Sequence, residues 1–359
     1  GPPISWNKNQ CQAGTNEYVA VRPELKKQIE ELYRKHPEEA RDSFGEDPFE
    51  VKNILKYWVF SEKPEFNVIP TDTINIHIDK DALLRSGIML PKTIRHLKGE
   101  DLKDAIPDKL YIPLTDIRML TKVDLLMLEM LANCNWERPL YLAISVGSVS
   151  KLKFDNYFVQ EGLAFRFTPF DYKKWGDVGE NRLYAVDVER LYDNVMNRYK
   201  YGGLDTPGLY LDETTLRTCW YHRRLFAQLA KELIAQGDNE RAKKVLAYAE
   251  QVIPGYNVPE THESGSYDIA TAYAALGEKT KAVTLAVHLI AEAEDYINWA
   301  FSLKGNRIEM VRNDCIYKFW QWNQYNELLK KIDGEKYKES NRRFEEKYAL
   351  FAPTMNYKN

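Results

Sequence analysis

Two stretches of the sequence, LAKELIAQGDNERAKKVLAYAE at residues 229–250 and IATAYAALGEKTKAVTLAVHLI at residues 269–290, decide the fold of the C-terminal half. At a shift of 40 residues they superpose three pairs of small residues: Ala230 on Ala270, Gly237 on Gly277 and Ala242 on Ala282. A small residue lets two helices approach closely, and a glycine ends the first helix of each pair. The pattern predicts a helical repeat with a period of 40 residues.

Each unit resembles the tetratricopeptide repeat. The first unit, roughly residues 222–255, matches that motif at Phe226, Leu229, Ala230, Leu233, Gly237, Ala242, Leu246, Ala249 and Pro254. The second unit departs from it, with Ser266 in place of the first large residue and Glu294 in place of the closing proline. The resemblance implies antiparallel helix pairs, followed by capping helices at 307–332 and 335–351. The alternative is an ordinary pair of helical hairpins.

The front half has strand patterns mixed with helices. Strand character begins at Phe66, and Ile74, Ile76 and Ile78 then alternate with polar residues as in a half-buried strand. A second strand is predicted at 109–114. The continuous apolar run at 140–146 is typical of a strand covered on both faces in a parallel sheet.

Turn residues and helix-capping residues predict further elements in and after the front half. Thr121 is the predicted N-cap of an apolar helix at 121–132. The Glu161-Gly162 turn predicts a hairpin between strands at 157–159 and 163–169. A helix is predicted at 188–200, ending on two glycines.

We therefore predict a mixed α/β N-terminal half followed by an all-α, tetratricopeptide-like half. The predicted domains are a mostly helical N-terminal segment at 1–65, an α/β domain at 66–205 and a tetratricopeptide-like helical domain at 206–359. A chain of 359 residues is long enough for two cores of ordinary size.

Charge and hydropathy exclude some classes of partner. Fifty basic and fifty-three acidic residues give a net charge of −3, whereas a nucleic-acid-binding protein needs a basic surplus on one face. No nucleic-acid partner is therefore expected. The longest apolar runs, such as 140–146, are far shorter than the roughly 20 residues of a membrane-spanning helix.

Motifs that carry chemistry are weak in this sequence. Asp79-Lys80-Asp81 has the D-x-D spacing of metal-binding transferases, but Asp at a strand-to-helix junction is favoured as a helix cap. The six histidines form no zinc-binding motif, and no G-x-S-x-G or phosphate-binding loop is present. Glu161 with Arg166 is interpreted as a structural charged pair beside a hairpin. In the turn at 136–139, Glu137 and Arg138 are expected to pair with each other or to cap the preceding helix, and a binding role is the alternative. We predict no catalytic residue, no metal site and no cofactor.

The concave face of the repeats is the predicted binding surface. The first helix of each pair lines that face, and on the aligned frame it presents a polar, partly basic strip formed by Arg224, Lys231, Tyr267 and Thr271. Cationic groups and a tyrosine suit carboxylates, hydroxyls and apolar faces of a ligand. Ordinary solvated surface is the alternative for each of the four.

Five longer blocks carry a family resemblance over most of residues 66–290: LLMLEMLANCNWERPLYLA (125–143), NYFVQEGLAFRFTP (156–169), VERLYDNVMNRYKYGGLD (188–205), LYLDETTLR (209–217) and LAKELIAQGDNERAKKVL (229–246). They resemble a bacterial family of large polytopic membrane proteins of unknown function. Members of that family are similar to glycosyltransferases of the GT-C type, which use lipid-linked donors, and an animal relative is an O-mannosyltransferase acting on receptor ectodomains. Phe165 and Thr168 depart from the usual pattern, in ways that affect packing.

The resemblance implies a role without chemistry in this chain. In such enzymes the catalytic acidic residue lies near the first membrane helices, to which nothing here corresponds, so transferase activity is implied for the parent protein alone. We expect a periplasmic or other extracytoplasmic accessory domain, anchored in the membrane in the full-length protein. Its expected partners are the membrane-embedded N-terminal part of the same protein and a protein or glycan acceptor. The alternative is a protein-interaction scaffold of the bacterial cell envelope without sugar chemistry.

Overall fold

The computed structural model describes residues 18–63, 66–146, 152, 154–179, 184–303 and 307–355. The chain divides into two compact units, residues 1–187 and residues 188–359. The first unit combines sheets and helices and the second is helical, which confirms the predicted fold class. The domain boundaries drawn from the sequence at 65/66 and 205/206 stay predictions.

The first unit is built from short elements. In chain order these are β1 (Tyr18–Val21), α1 (Leu25–Lys35), α2 (Pro37–Phe44), α3 (Val51–Ile54, continued by a π-turn at Leu55–Val59), β2 (Val68–Ile69), β3 (Thr73–His77), α4 (Lys80–Arg85), α5 (Gly99–Ala105), β4 (Lys109–Pro113), β5 (Met119–Thr121), α6 (Lys122–Asn133), β6 (Tyr141–Ala143), a 3₁₀ turn (Asp155–Tyr157), β7 (Phe158–Gln160), β8 (Ala164–Phe167) and β9 (Ala185–Val186).

Three small sheets organise these strands. The first has the order β2-β1-β5, the second is the antiparallel pair β3-β4, and the third has the order β6-β8-β7-β9. Strand β1 pairs in parallel with β2 and antiparallel with β5. The expectation that strand character begins at Phe66 is therefore wrong. A strand of four residues shows too little alternation to be recognised from sequence.

The apolar run at 140–146 contains a short edge strand, whereas the sequence predicted a strand covered on both faces in a parallel sheet. Strand β6 covers only Tyr141–Ala143 and pairs antiparallel with β8 at the edge of its sheet. Tyr141 is 49% exposed, so the strand is not covered on both faces. The prediction of a buried parallel strand was wrong because a short apolar edge strand and a buried central strand share the same composition.

Several local predictions for the first unit are confirmed. Thr121 caps α6 in a reciprocal capping box with Asp124. Strands β7 and β8 form the predicted antiparallel hairpin. The buried Arg166 guanidinium lies 3.6 Å from the Glu161 carboxylate and donates to the backbone oxygen of Ser86 at 3.0 Å. This ion pair therefore has the structural role expected from sequence.

The second unit is a stack of helices. In chain order these are α7 (Val188–Asp193, continued by a π-turn at Asn194–Arg198), α8 (Glu213–Ala235), α9 (Asn239–Val252), α10 (Ser266–Ala275), α11 (Lys279–Ser302), α12 (Arg307–Met310), α13 (Arg312–Ile332) and α14 (Gly334–Met355). Helix α8 packs against both α9 and α10, α11 against α10 and α13, and α13 against α14. The predicted capping helices are thus present, the first interrupted at Val311.

The 40-residue repeat is visible in the packing. All four aligned alanines, Ala230, Ala242, Ala270 and Ala282, are fully buried. Gly237 and Gly277 both have a φ of +79°, a conformation that strains any residue with a side chain. Residues 40 positions apart therefore have the same structural role: the two glycines end the first helix of each pair, and the alanines lie where the helices cross.

In the part of the chain that the structure describes, no helix combines the length and the apolar composition needed to cross a membrane.

We predict that Ala242→Phe destabilises the second unit, because Ala242 is fully buried at a helix crossing. Overpacking such a site costs about 1–3 kcal/mol or more in the free energy of unfolding. Ala247→Phe is the matched control, since Ala247 is exposed on the same helix. Urea denaturation of both variants measures the effect, and equal stability of the two would contradict the assigned crossing.

Candidate functional site

A pocket of about 440 Å³ lies between helices α9, α10 and α11, where the two repeats meet. Its apolar lining includes Leu246, Ile253, Ile269 and Leu285. Its polar lining comprises Arg223, Glu250, Glu260, Ser266, Tyr273, Thr280, Lys281, Thr284 and His288. A cavity of this size, with apolar walls and a few polar groups, has the character of a ligand-binding site.

Arg223 of α8 is a buried cation beside this pocket, only 3% exposed. Its Nη1 donates to the Pro259 carbonyl at 2.8 Å and to Ser264 Oγ at 3.1 Å. Its Nη2 donates to the carbonyls of Ile253 at 3.0 Å and Val258 at 2.6 Å. All four acceptors lie on the segment that joins the two repeats, so the guanidinium holds that segment in place.

The charge of Arg223 is compensated by dipoles. Burial lowers the pKa of the guanidinium to about 10, and the nearby Glu260 carboxylate opposes that shift. The group therefore stays cationic at neutral pH. Ser264 extends the network, because its Oγ also lies 2.9 Å from Ser266 Oγ at the start of α10. The buried charge thus fixes both the inter-repeat segment and the beginning of the second repeat.

Glu250 organises the rim of the pocket. Lys281 Nζ donates to its two carboxylate oxygens at 3.0 and 2.8 Å, and the Tyr273 hydroxyl donates to Oε1. The ammonium of Lys281 also lies 4.9 Å from the centre of the Tyr273 ring. Burial, and then the hydrogen bond to Glu250, raise the pKa of Tyr273, so its hydroxyl remains a donor. The rim therefore presents an anion, a cation and a phenol in a fixed arrangement.

The aligned basic residue of the first repeat also forms an ion pair. Arg241 stands 40 residues before Lys281 and donates to both oxygens of Glu189, at 2.8 and 2.9 Å. Its guanidinium lies 4.1 Å from the centre of the Tyr192 ring. In both repeats, a basic residue near the start of the second helix thus reaches back to a glutamate and a tyrosine on preceding helices.

The strip predicted from sequence divides into two parts. Arg224 and Lys231 are exposed on one face of α8. The guanidinium of Arg224 lies 4.8 Å from the Tyr221 ring centre, and a Cβ on Gly265 would approach the Arg224 Cγ at 2.7 Å. Arg224 therefore lies beside the start of α10, and both cationic groups remain at the surface.

Tyr267 and Thr271 of α10 are engaged within the unit. The Tyr267 ring stacks on His262 at 5.8 Å and lies 5.5 Å from the Tyr325 ring of α13. Thr271 donates through its hydroxyl to the Asp268 carbonyl of its own helix at 2.8 Å. Tyr267 is thus a packing residue with a half-buried ring, and the binding role of the four residues stays a prediction.

The acidic motif of the front half is a cap. Asp79 accepts from the backbone N–H of Ala82 at 2.9 Å, and Asp81 forms an ion pair with Lys103 at 2.8 Å. The described ranges contain no group of three or more His, Cys, Asp or Glu side chains that could hold a metal ion. At the turn 136–139, the Glu137 carboxylate lies 3.9 Å from the Arg85 guanidinium, and the backbone N–H groups of Glu137 and Arg138 donate to the Cys134 carbonyl at the end of α6.

Sequence reasoning missed the residues that line the pocket. They come from four helices and a connecting segment, and they share no short motif. One signal was present in the 40-residue alignment, which superposes the basic residues Arg241 and Lys281. A basic residue at the same repeat position twice points to a repeated ion pair, and the second pair marks the pocket rim.

The profile of the TMEM260-associated domain 2 family matches residues 2–189. The chain belongs to this family. The matched range nearly coincides with the first unit, and the pocket lies in the helical unit that follows it. Comparisons with curated proteins and with solved structures gave no match. The TMEM260-associated domain thus precedes a helical half that the family profile does not cover.

We predict that Arg223→Met destabilises the helical unit strongly. The substitution removes the donor of three backbone carbonyls and a hydroxyl. A buried acceptor left unpaired costs about 1–3 kcal/mol, so the loss in the free energy of unfolding should be several kcal/mol. Arg224→Met, at the exposed neighbouring position, should change it by less than about 0.5 kcal/mol.

Both variants can be compared by urea denaturation followed by circular dichroism. Similar stability of the two would show that Arg223 does not hold the inter-repeat segment.

A third prediction concerns pH. The ring of His262 packs against Tyr267, Trp320 and Tyr325, and this burial lowers its pKa. The carboxylates of Glu263 and Asp268 oppose the decrease in pKa, and the ammonium of Lys318 adds to it. The unfolded chain then binds a proton more readily than the native one, so stability should fall as pH drops below about 6.5. His262→Gln should make that decrease shallower. His288→Gln, at an exposed position, is the control, and equal slopes for wild type and His262→Gln would contradict the prediction.

Proposed function

We propose that this chain is an extracytoplasmic accessory domain of a membrane glycosyltransferase-like protein, and that its helical half positions the acceptor. Membership of the TMEM260-associated domain 2 family supports the link to such a membrane protein. The proposed partners are the membrane-embedded part of the same protein and a protein acceptor. The front unit, which carries the family signature, provides the attachment to that protein.

The pocket between the repeats is the observation that carries the acceptor role. Its volume is about 440 Å³, and Arg223, one of its lining residues, is held in place by four hydrogen bonds to the segment that joins the two repeats. When internal hydrogen bonds already hold the side chains of a site, little binding free energy is lost in ordering them. The pocket is therefore suited to capturing a short segment of a flexible polypeptide.

The pocket chemistry favours an amphipathic segment. Leu246, Ile269 and Leu285 offer apolar contacts, while Glu250 and Lys281 supply charges of both signs at the rim. An apolar side chain would enter the pocket, and polar groups of the same segment would meet the rim. Arg224 and Lys231 on α8 would then contact acidic flanking residues, in keeping with the role predicted for the strip.

Catalysis is assigned to the membrane-embedded part. Glu250 is bound by Lys281 and Tyr273, and Arg223 is bound by backbone carbonyls, so these groups serve structure and recognition. The purified chain, incubated with lipid-linked or nucleotide-activated sugar donors and candidate acceptor peptides, should transfer no labelled sugar. Transfer by the purified chain would overturn this assignment.

The acceptor role is tested in the full-length protein reconstituted in lipid vesicles, with a labelled lipid-linked donor. Thr284→Trp places a bulky ring at an exposed position of the pocket wall and should raise the acceptor KM at least about tenfold, with little effect on kcat. Thr218→Trp, at an exposed position of α8, is the matched control. An unchanged KM for Thr284→Trp would sink the acceptor role. Acceptor capture without any sugar transfer would favour the envelope scaffold.

A further inference from the structure

A second pocket, of about 330 Å³, lies within the helical unit, between the π-turn that follows α7 and the end of α9. Three tyrosines line it: Tyr199, Tyr201 and Tyr248. Three polar side chains, those of Asn197, Lys200 and Asp205, lie among them. The volume is at the lower end of the range of about 300–1,000 Å³ that is usual for small-molecule sites. The pocket is separate from the one between the repeats and shares none of its lining residues.

The backbone around this pocket is held in a defined shape. Gly202 and Gly203 have φ values of +62° and +74°, which turn the chain sharply after Tyr201. Asn257 donates through Nδ2 to the carbonyls of Leu204 at 2.7 Å and Thr206 at 2.6 Å. The Tyr256 hydroxyl donates to the Asp205 carbonyl at 2.6 Å. The wall of the pocket is therefore anchored on both sides of Asp205.

The aromatic rings are also fixed. The Tyr201 hydroxyl donates to the Val195 carbonyl at 2.6 Å, and its ring packs 5.6 Å from that of Phe226. Tyr248 lies edge-on to Tyr201, with 6.0 Å between ring centres and 81° between ring planes. Burial raises the pKa of Tyr201, so its hydroxyl is a neutral donor. The rings of Tyr201 and Tyr248, which differ in orientation, thus meet at this pocket.

The polar groups at the rim are available to a ligand. Within the residues that the structure describes, the side chains of Lys200 and Asp205 form neither an ion pair nor a hydrogen bond. Asn197 uses Nδ2 to donate to Asp193 at 3.0 Å, which leaves its side-chain oxygen as an acceptor. The pocket therefore offers an ammonium donor, a carboxylate acceptor and an amide acceptor around its aromatic lining.

We propose that this tyrosine-lined pocket binds a neutral pyranose sugar. A pyranose has an apolar C–H face that packs on an aromatic ring and a periphery of hydroxyls that need donors and acceptors. Tyr201 and Tyr248 supply the rings, Asp205 and Asn197 accept from hydroxyls, and Lys200 donates to a sugar oxygen. The opposite charges of Lys200 and Asp205 give no preference for an ionic ligand. A monosaccharide also suits the volume better than a peptide segment does.

The inference does not depend on sugar transfer by the parent protein, because it concerns binding by this chain alone. The test uses the purified 359-residue chain and three probes: methyl α-mannopyranoside, methyl α-glucopyranoside and methyl β-galactopyranoside. Saturation-transfer NMR detects the sugar C–H protons that contact aromatic rings, and titration gives the Kd. We expect binding of at least one probe, with a Kd in the millimolar range.

The variants Asp205→Asn and Lys200→Met change side chains at the rim and leave the anchored backbone intact, so folding should be preserved. Each should weaken binding at least about fivefold, which corresponds to roughly 1 kcal/mol. Asp295→Asn and Lys244→Met change exposed residues elsewhere in the same unit and should leave the Kd unchanged. Absence of saturation transfer for all three probes would overturn the proposal. Binding that is equally strong in the rim variants would also overturn it. So would displacement of the bound probe by an unglycosylated peptide.

Discussion

The buried guanidinium of Arg223 fixes how the two repeats meet. A charge removed from water is costly unless hydrogen bonds compensate it, and here three backbone carbonyls and Ser264 Oγ do so. The arrangement also satisfies the connecting segment, since its carbonyls would otherwise be buried without donors. One side chain thus determines the path of residues 253–264.

The repeated ion pairs act at the next level of organisation. Arg241 with Glu189, and Lys281 with Glu250, each join a second helix to a helix that precedes it. Exposed pairs of this kind contribute little to stability by themselves, about 0–1 kcal/mol. Their main effect is on geometry, because each pair lies beside a tyrosine ring and fixes the position of that ring. The alanines at the crossings supply the packing, and the ion pairs set the surface that a ligand meets.

The sequence allowed prediction where a physical constraint acts on residues close together in the chain. Ala242 and Gly237 could be placed because a helix crossing demands a small residue and a helix end demands a positive φ. Thr121 was recognisable as a cap for a similar local reason. Strand β1 and edge strand β6 were not, because pairing between distant segments decides their role. Arg223 was hidden for the same reason: its acceptors lie 30 to 41 residues further along.

Tethering explains why shallow sites in this chain would be sufficient. In the proposed arrangement, the helical unit and the membrane-embedded part belong to one polypeptide, so an acceptor held by one is presented to the other at an effective concentration in the millimolar range. A pocket with a weak Kd then still raises occupancy at the membrane, and fast release lets the acceptor leave after reaction. A small pocket in a short repeat array meets that requirement better than a deep site. Tight binding would retain the product and slow turnover.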